Sequence, residues 1–111
     1  RIKDMIITGG FNVYATEVEE SILERDDVLE CAVIGIPDKK WGEAVKAIVV
    51  MNSDNEITEE SLISDIRPKL GRVKTPKSIE FWNSLPKTSV GKIDKKVIRE
   101  RYWGKYTRKV N

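Results

Sequence analysis

A chain of 111 residues is one domain, long enough to bury a real core. Apolar residues make up 40% and charged residues 34%, so a modest core lies under a wide solvated surface. Its 20 basic and 18 acidic side chains leave a net charge of +2, which argues against a charge-driven nucleic-acid binder.

Arg1 to Tyr14 sets two β-branched or aromatic runs, Met5-Ile6-Ile7 and Phe11-Asn12-Val13-Tyr14, around Gly9-Gly10, which predicts a hairpin. The glycines serve either turn geometry or a close approach of backbone to a ligand, and taken alone they favour the turn. Thr16-Glu17-Val18-Glu19 reads as a capping box, with Thr16 as N-cap and Glu19 at the third helical position. Val18, Ile22 and Leu23 share a face of the helix that follows, which reaches about Arg25 before Asp26-Asp27 breaks it. Val28 to Ile36 reads as a strand and holds the single cysteine, Cys31, as a buried thiol. One cysteine allows no internal disulfide, which fits a reducing, cytoplasmic compartment. Ala44 to Met51 is a second strand, near enough to pair antiparallel with the first.

After the polar loop Asn52 to Ile57, Thr58 caps a helix whose first turn carries Glu59 and Glu60 and whose apolar stripe is Leu62, Ile63 and Ile66. Pro68 is expected to disturb its last turn. Gly71 to Pro76 reads as a basic connector, Ser78 to Trp82 as a third strand, and Asp94 to Tyr102 as a final helix. The order β-β-α-β-β-α-β-α predicts an α+β fold, a two-stranded N-terminal hairpin plus a three-stranded sheet flanked by about three helices. No stretch approaches the ~20 apolar residues of a membrane span, and no signal peptide is visible. The opening on Arg1 within a strand pattern suggests a piece of a longer protein.

With no histidine and one cysteine, Ser-His-Asp, Cys-His and His-based metal chemistry are excluded within the chain, and any catalysis rests on lysine, arginine or carboxylates. The loop Pro86 to Lys96 is the strongest candidate, a mobile segment carrying Lys92 after Gly91. It is not a Walker loop, because Pro86 and Ile93 stand where glycine and Ser or Thr are needed. The basic C-terminal quarter, from Lys87 to Lys109, reads as a solvated helix face, an anionic-ligand or partner contact, or a nucleic-acid face with Trp82, Tyr102, Trp103 and Tyr106 for stacking.

Four stretches in order carry a resemblance. They are Arg1-Ile2-Lys3-Asp4-Met5-Ile6 with Gly9 to Tyr14 and Glu17-Val18-Glu19, then Val33 to Asp38 with Trp41-Gly42-Glu43, then Lys74-Thr75-Pro76-Lys77, then Leu85-Pro86-Lys87-Thr88 with Gly91-Lys92. Together they resemble the C-terminal domain of adenylate-forming enzymes, the superfamily of acyl-CoA synthetases, firefly luciferase and peptide-synthetase adenylation domains. The tail Arg101 to Lys105 is most similar to bacterial acyl-CoA synthetases of the fatty-acid type. The resemblance implies a lid that closes over a large, absent N-terminal domain holding ATP, Mg²⁺ and a carboxylic acid, first for acyl-AMP formation and then, rotated, for thioester formation with CoA. No cofactor is expected to bind the fragment alone, which should be inactive.

Residue by residue, Lys92 matches the adenylation lysine, Lys3 the hinge and Arg1 a contact to the AMP ribose. Gly9 and Gly10 match the pantetheine tunnel, which reverses the preference for a plain turn. Trp41 matches a contact to the CoA adenine, with packing against the sheet as the alternative, and Lys74 lies in the CoA-binding connector. Val73 stands where an aromatic is common and Asn12 where some members have arginine, so neither is assigned a nucleotide contact. Lys92 is also a candidate for acetylation, which would erase its charge. The rival readings are a peptide-synthetase adenylation domain that loads a carrier protein, and a stand-alone basic module binding RNA or an acidic partner. Acyl chain length is not legible here.

Overall fold

The computed structural model describes residues 4–52 and 57–110, with 104–110 given by backbone alone. Arg1 and Lys3 lie outside the described residues.

Strand alternation sets the architecture. Two long strands, β3 (Val28–Asp38) and β4 (Gly42–Met51), bury Cys31, Val33, Val45, Ala47 and Val49 on one face and Ala32, Ile34, Ile48 and Val50 on the other. A sheet that is apolar on both sides must be covered on both sides. Helices α1 (Ala15–Leu23) and α2 (Glu59–Lys74) cover the first face with Val18, Ile22, Leu62 and Ile66. The second is covered by Ile98 of α3 (Lys95–Val110) and by Leu85 in the loop before it. Strand β5 (Ser78–Phe81) pairs parallel with β4, Ala47 opposite Ile79, so α2 is the crossover of a β-α-β unit. The remaining hairpin, β1 (Met5–Thr8) and β2 (Phe11–Tyr14), inserts the paired Ile6 and Val13 into the first core. Element order and α+β class are those expected from the sequence. No helix among the described residues is long and apolar enough to cross a membrane.

At each sheet edge a carboxylate takes one strand N–H. Glu19 accepts the Val33 N–H of β3 at 2.8 Å, and Glu59 accepts the Ile79 N–H of β5 at 2.8 Å. Edge groups satisfied in this way offer no template for another strand. Pro37 sits in β3, where an edge strand tolerates its missing donor.

Several local expectations yield to tertiary contacts. The capping box does not form: α1 begins at Ala15 with Tyr14 as N-cap and no side-chain cap. The Ala15 N–H is taken by the Asp4 carbonyl at 2.8 Å, and Glu19 is committed to Val33 and Lys95. Leu23, expected on the apolar face, is 43% exposed. Thr58 does cap α2, accepting from Ser61 N–H. Pro68 leaves that helix intact, because it and Ser64, whose carbonyl loses its partner, both lie on the exposed side. The break falls instead at Gly71, with φ of 84°, a conformation that favours glycine. Arg72 to Lys74 then make one more helical turn, so the basic connector is partly helical. The final helix begins at Lys95, with the Asp94 carboxylate accepting from Val97 N–H at 3.3 Å, and it runs past Tyr102.

Glu19 and Lys95 have side chains only 15% and 17% exposed and lie 2.6 Å apart. Glu24 and Lys69 also pair, at 2.7 Å, but are 63% and 49% exposed. Glu19→Ala should therefore lower the unfolding free energy by about 2–3 kcal/mol, since it leaves an edge N–H without its acceptor and the partly buried Lys95 with Asp4 alone. Glu24→Ala should cost under about 1 kcal/mol. Urea denaturation of the two variants checks this, and equal losses would contradict it.

Candidate functional site

The loop that carries Lys92 is a small hairpin standing on the second core. Leu85 anchors its entry at 4% exposure, and Lys87 and Ile93 pair across its base. Asp94 N–H returns to the Pro86 carbonyl at 2.8 Å. At the tip, Gly91 N–H donates to the Thr88 carbonyl at 2.9 Å and Gly91 takes φ of 89°, the role of glycine in a tight turn. Val90 at the apex is 78% exposed.

Two of the neighbouring lysines, Lys87 and Lys95, are committed to carboxylates. Lys87 pairs with Glu30 of β3 at 2.8 Å, and Lys95 lies between Asp4 and Glu19, with Arg99 also on Asp4 at 3.0 Å. Lys92 is exposed, and its ammonium has no ion pair or hydrogen bond among the described residues. An uncommitted cation at a loop tip is available to an anion brought from outside.

A second site gathers at the far end of β3. Gly9 and Gly10, at φ of 57° and 86°, make a two-residue hairpin turn that glycine alone adopts easily. Gly9 N–H donates to the Trp41 carbonyl at 2.9 Å, and a Cβ on Gly9 would stand 2.6 Å from Trp41 Cε3. A Cβ on Gly10 would meet nothing within 4 Å. Trp41 is held by its N–H to the Asp38 carboxylate at 2.8 Å and remains 40% exposed, so it is not a core residue.

Beside it opens a cup of about 650 Å³, lined by Thr8, Phe11, Trp41 and Val73 and by four cations, Lys40, Arg67, Arg72 and Lys77. Among the described residues, no acidic side chain lines the cup. Lys40 and Lys77 stand 4.9 and 5.9 Å from the Trp41 ring centre. An aromatic face ringed by four cations, none in an ion pair among the described residues, suits a planar anionic ligand.

Gly9 and Trp41 are thus brought together, with Gly10 at the same turn. Lys74 is not part of this cup: it pairs with Glu17 at 2.8 Å. Arg72 belongs to the connector noticed as basic and Lys77 follows it, but nothing local marked them as cup residues. Arg67 carried no sequence signal, because only the crossover of α2 brings it beside the hairpin.

The aromatic residues considered for stacking are turned to structural use. Trp82 Nε1 and Tyr102 OH both donate to Glu80 Oε1 at 2.9 Å, and Trp103 Nε1 donates to the Gly35 carbonyl at 2.7 Å. The Trp82 hydrogen bond, with Tyr102 and Lys46, holds the Glu80 carboxyl below its ordinary range. Burial and the bond to Glu80 push the Tyr102 phenol up to about 12. Lys46, 7% exposed, sits 3.3 Å from Glu80. The Tyr106 side chain lies outside the described residues. Cys31, 3% exposed, is a core thiol pushed up to about 12 chiefly by burial, which makes it a poor nucleophile.

A family model described as the AMP-binding enzyme C-terminal domain matches residues 17–92, more than half of the chain. The chain belongs to that family. It is 44% identical over 110 residues to a medium/long-chain-fatty-acid–CoA ligase of Mycobacterium tuberculosis, covering 93% of this chain and 19% of that protein. It is 46% identical over 102 residues to a feruloyl-CoA synthase of Amycolatopsis sp, covering 92% and 21% respectively. The crystal structure of ATP-bound MatB from Rhodopseudomonas palustris superposes with a TM-score of 0.87 at 40% identity, over 96% of this chain and 21% of that one. The chain spans about a fifth of the length of these relatives.

Two outcomes check the geometry of the second site. Gly9→Ala should shift the indole N–H resonance of Trp41, because the new methyl displaces the ring. Gly10→Ala should leave that resonance in place, and the reverse pattern would contradict the packing described.

Tyrosinate absorbance, with Tyr102→Phe as reference, should place the Tyr102 transition at about 12. The folded value lies above the ordinary 10.0. The stability due to the neutral phenol is therefore complete below pH 10 and is lost as pH rises through 12. A transition at the ordinary value would contradict the Glu80 contact.

Proposed function

We propose that the chain is the mobile C-terminal lid of an acyl-CoA synthetase, an ATP-dependent acid–thiol ligase. The complete enzyme converts a carboxylic acid, of the fatty-acid kind, to acyl-AMP and pyrophosphate and then passes the acyl group to CoA. The observation that carries this reading is the isolated Lys92 ammonium at the tip of a braced loop, within a chain of this family.

Attack of a carboxylate on the α-phosphorus of ATP builds negative charge on phosphoryl oxygens, which a preplaced ammonium stabilises. Lysine suits the task as a compact charge on a long stem. Losing such a group costs about 3–4 kcal/mol of barrier, a factor of roughly 10² to 10³ in rate. In this reading Lys3 is the hinge and Arg1 meets the AMP ribose. The ATP and acid pockets belong to the N-terminal domain, and Mg²⁺ would be held there with the nucleotide. Because those pockets belong to the N-terminal domain, the chain alone is expected to be inactive.

The basic cup supports a role for the opposite face in thioester formation. Its cations and the Trp41 ring fit the adenine and phosphates of CoA, while the Gly9-Gly10 backbone leaves room for the pantetheine arm. This charge favours free CoA over a carrier protein, whose pantetheine lacks the nucleotide end. Lys74, held by Glu17, joins only if that pair opens.

In the complete enzyme, Lys92→Ala should lose acyl-adenylate formation by roughly 10² to 10³, yet convert supplied acyl-AMP to thioester at the normal rate. Equal loss of both half-reactions would remove Lys92 from this role. Gly10→Phe should do the opposite, slowing thioester formation while sparing adenylation. Paired Arg67→Glu and Arg72→Glu changes should raise KM for CoA and leave KM for ATP unchanged.

A further inference from the structure

Lys92 has a long flexible side chain and no side-chain partner among the described residues, so its direction is set by the backbone that carries it. At Lys92 itself that backbone is held by Thr88. Thr88 N–H donates to the Lys92 carbonyl at 2.7 Å, and Thr88 Oγ1 accepts the Lys92 N–H at 3.3 Å. The Thr88 carbonyl also accepts from Gly91, at 2.9 Å. Both peptide groups that flank the Lys92 Cα are thus fixed to Thr88, one of them through its hydroxyl. Below the tip, the Lys87–Glu30 pair straps the hairpin to β3, so Thr88 works from a fixed base.

We propose that Thr88 is a positioning residue for Lys92: its hydroxyl fixes the Lys92 peptide and thereby aims the ammonium. The inference rests on the adenylation reading of Lys92. Misplacing a catalytic group by about 1 Å costs on the order of 10²-fold, and here the side chain has no second anchor to correct it. Valine at position 88 keeps the shape and both backbone bonds but removes the acceptor. Serine keeps the acceptor.

The test uses the complete enzyme with Thr88→Val, Thr88→Ser, Lys92→Ala and the double variant Thr88→Val/Lys92→Ala. Thr88→Val should lower kcat of acyl-adenylate formation by roughly 10- to 100-fold, with KM for ATP and acid unchanged and thioester formation from supplied acyl-AMP at the normal rate. Thr88→Ser should restore most of the loss. In the Lys92→Ala background, Thr88→Val should cost nothing further, since two residues acting through one ammonium are not additive. Wild-type kcat in Thr88→Val, no rescue by serine, or losses that multiply in the double variant would overturn the role of Thr88 while leaving Lys92 in place. Normal adenylation in Lys92→Ala would overturn both readings together.

Discussion

The structure depends most on one ammonium held between two carboxylates. Lys95, at the start of α3, sits between Asp4, which precedes β1, and Glu19 of α1, while Arg99 holds the other oxygen of Asp4. Glu19 also takes the edge N–H of Val33, so the same cluster reaches the sheet. These groups are mostly removed from water, where removing one partner is costly because it leaves the others unpaired. A hairpin, two helices and the central sheet are fixed to one another at this point. Lys92 lies three residues before Lys95, and β1 joins Asp4, just before it, to the Gly9-Gly10 turn just after it. The two candidate faces therefore share one frame.

The central sheet then keeps those faces apart. The lysine loop is strapped to Glu30 near the start of β3, and Trp41 follows Asp38 at its end. Eight residues of strand at about 3.3 Å each put roughly 26 Å between these anchor points. Two sites so far apart on one frame cannot serve the same reacting bond at the same moment. A chain built this way suits a lid that turns as a unit and presents its faces in sequence, which is the reading proposed for this family member. The charge distribution fits that division: the uncommitted Lys92 near the loop tip suits one phosphoryl group, and a cup of four cations suits a ligand with several phosphates.

Much of the fold was legible because local pattern and global packing agree. The strands around Val33 and Ile48, the Thr58 cap and the glycine hairpin all follow from nearest-neighbour chemistry. Legibility ended where partners are distant in the chain. The Thr16 capping box is a sound local motif, but Asp4 supplies the Ala15 N–H and Val33 and Lys95 claim Glu19. Pro68 looked disruptive because its exposure cannot be read from its neighbours. The candidate lysine was visible as a motif, yet its isolation from the lysines beside it depends on Glu30, Asp4 and Glu19. Arg67 reached the cup through the crossover of α2, which no residue pattern announces.

The central claim is that one body carries two faces and exchanges them without internal change. The direct measurement is a pair of crystal structures of the complete enzyme, one with ATP and an unreactive acid analogue, the other with an acyl-adenylate mimic and CoA. Residues 4–52 and 57–103 should superpose between the two within about 1 Å. Lys92 should face the nucleotide phosphate in the first, and the Gly9-Gly10 turn with Trp41 should face CoA in the second. Lys92 at the phosphate in both states, or a rearrangement of the loop against the Asp4–Lys95–Glu19 cluster, would contradict it.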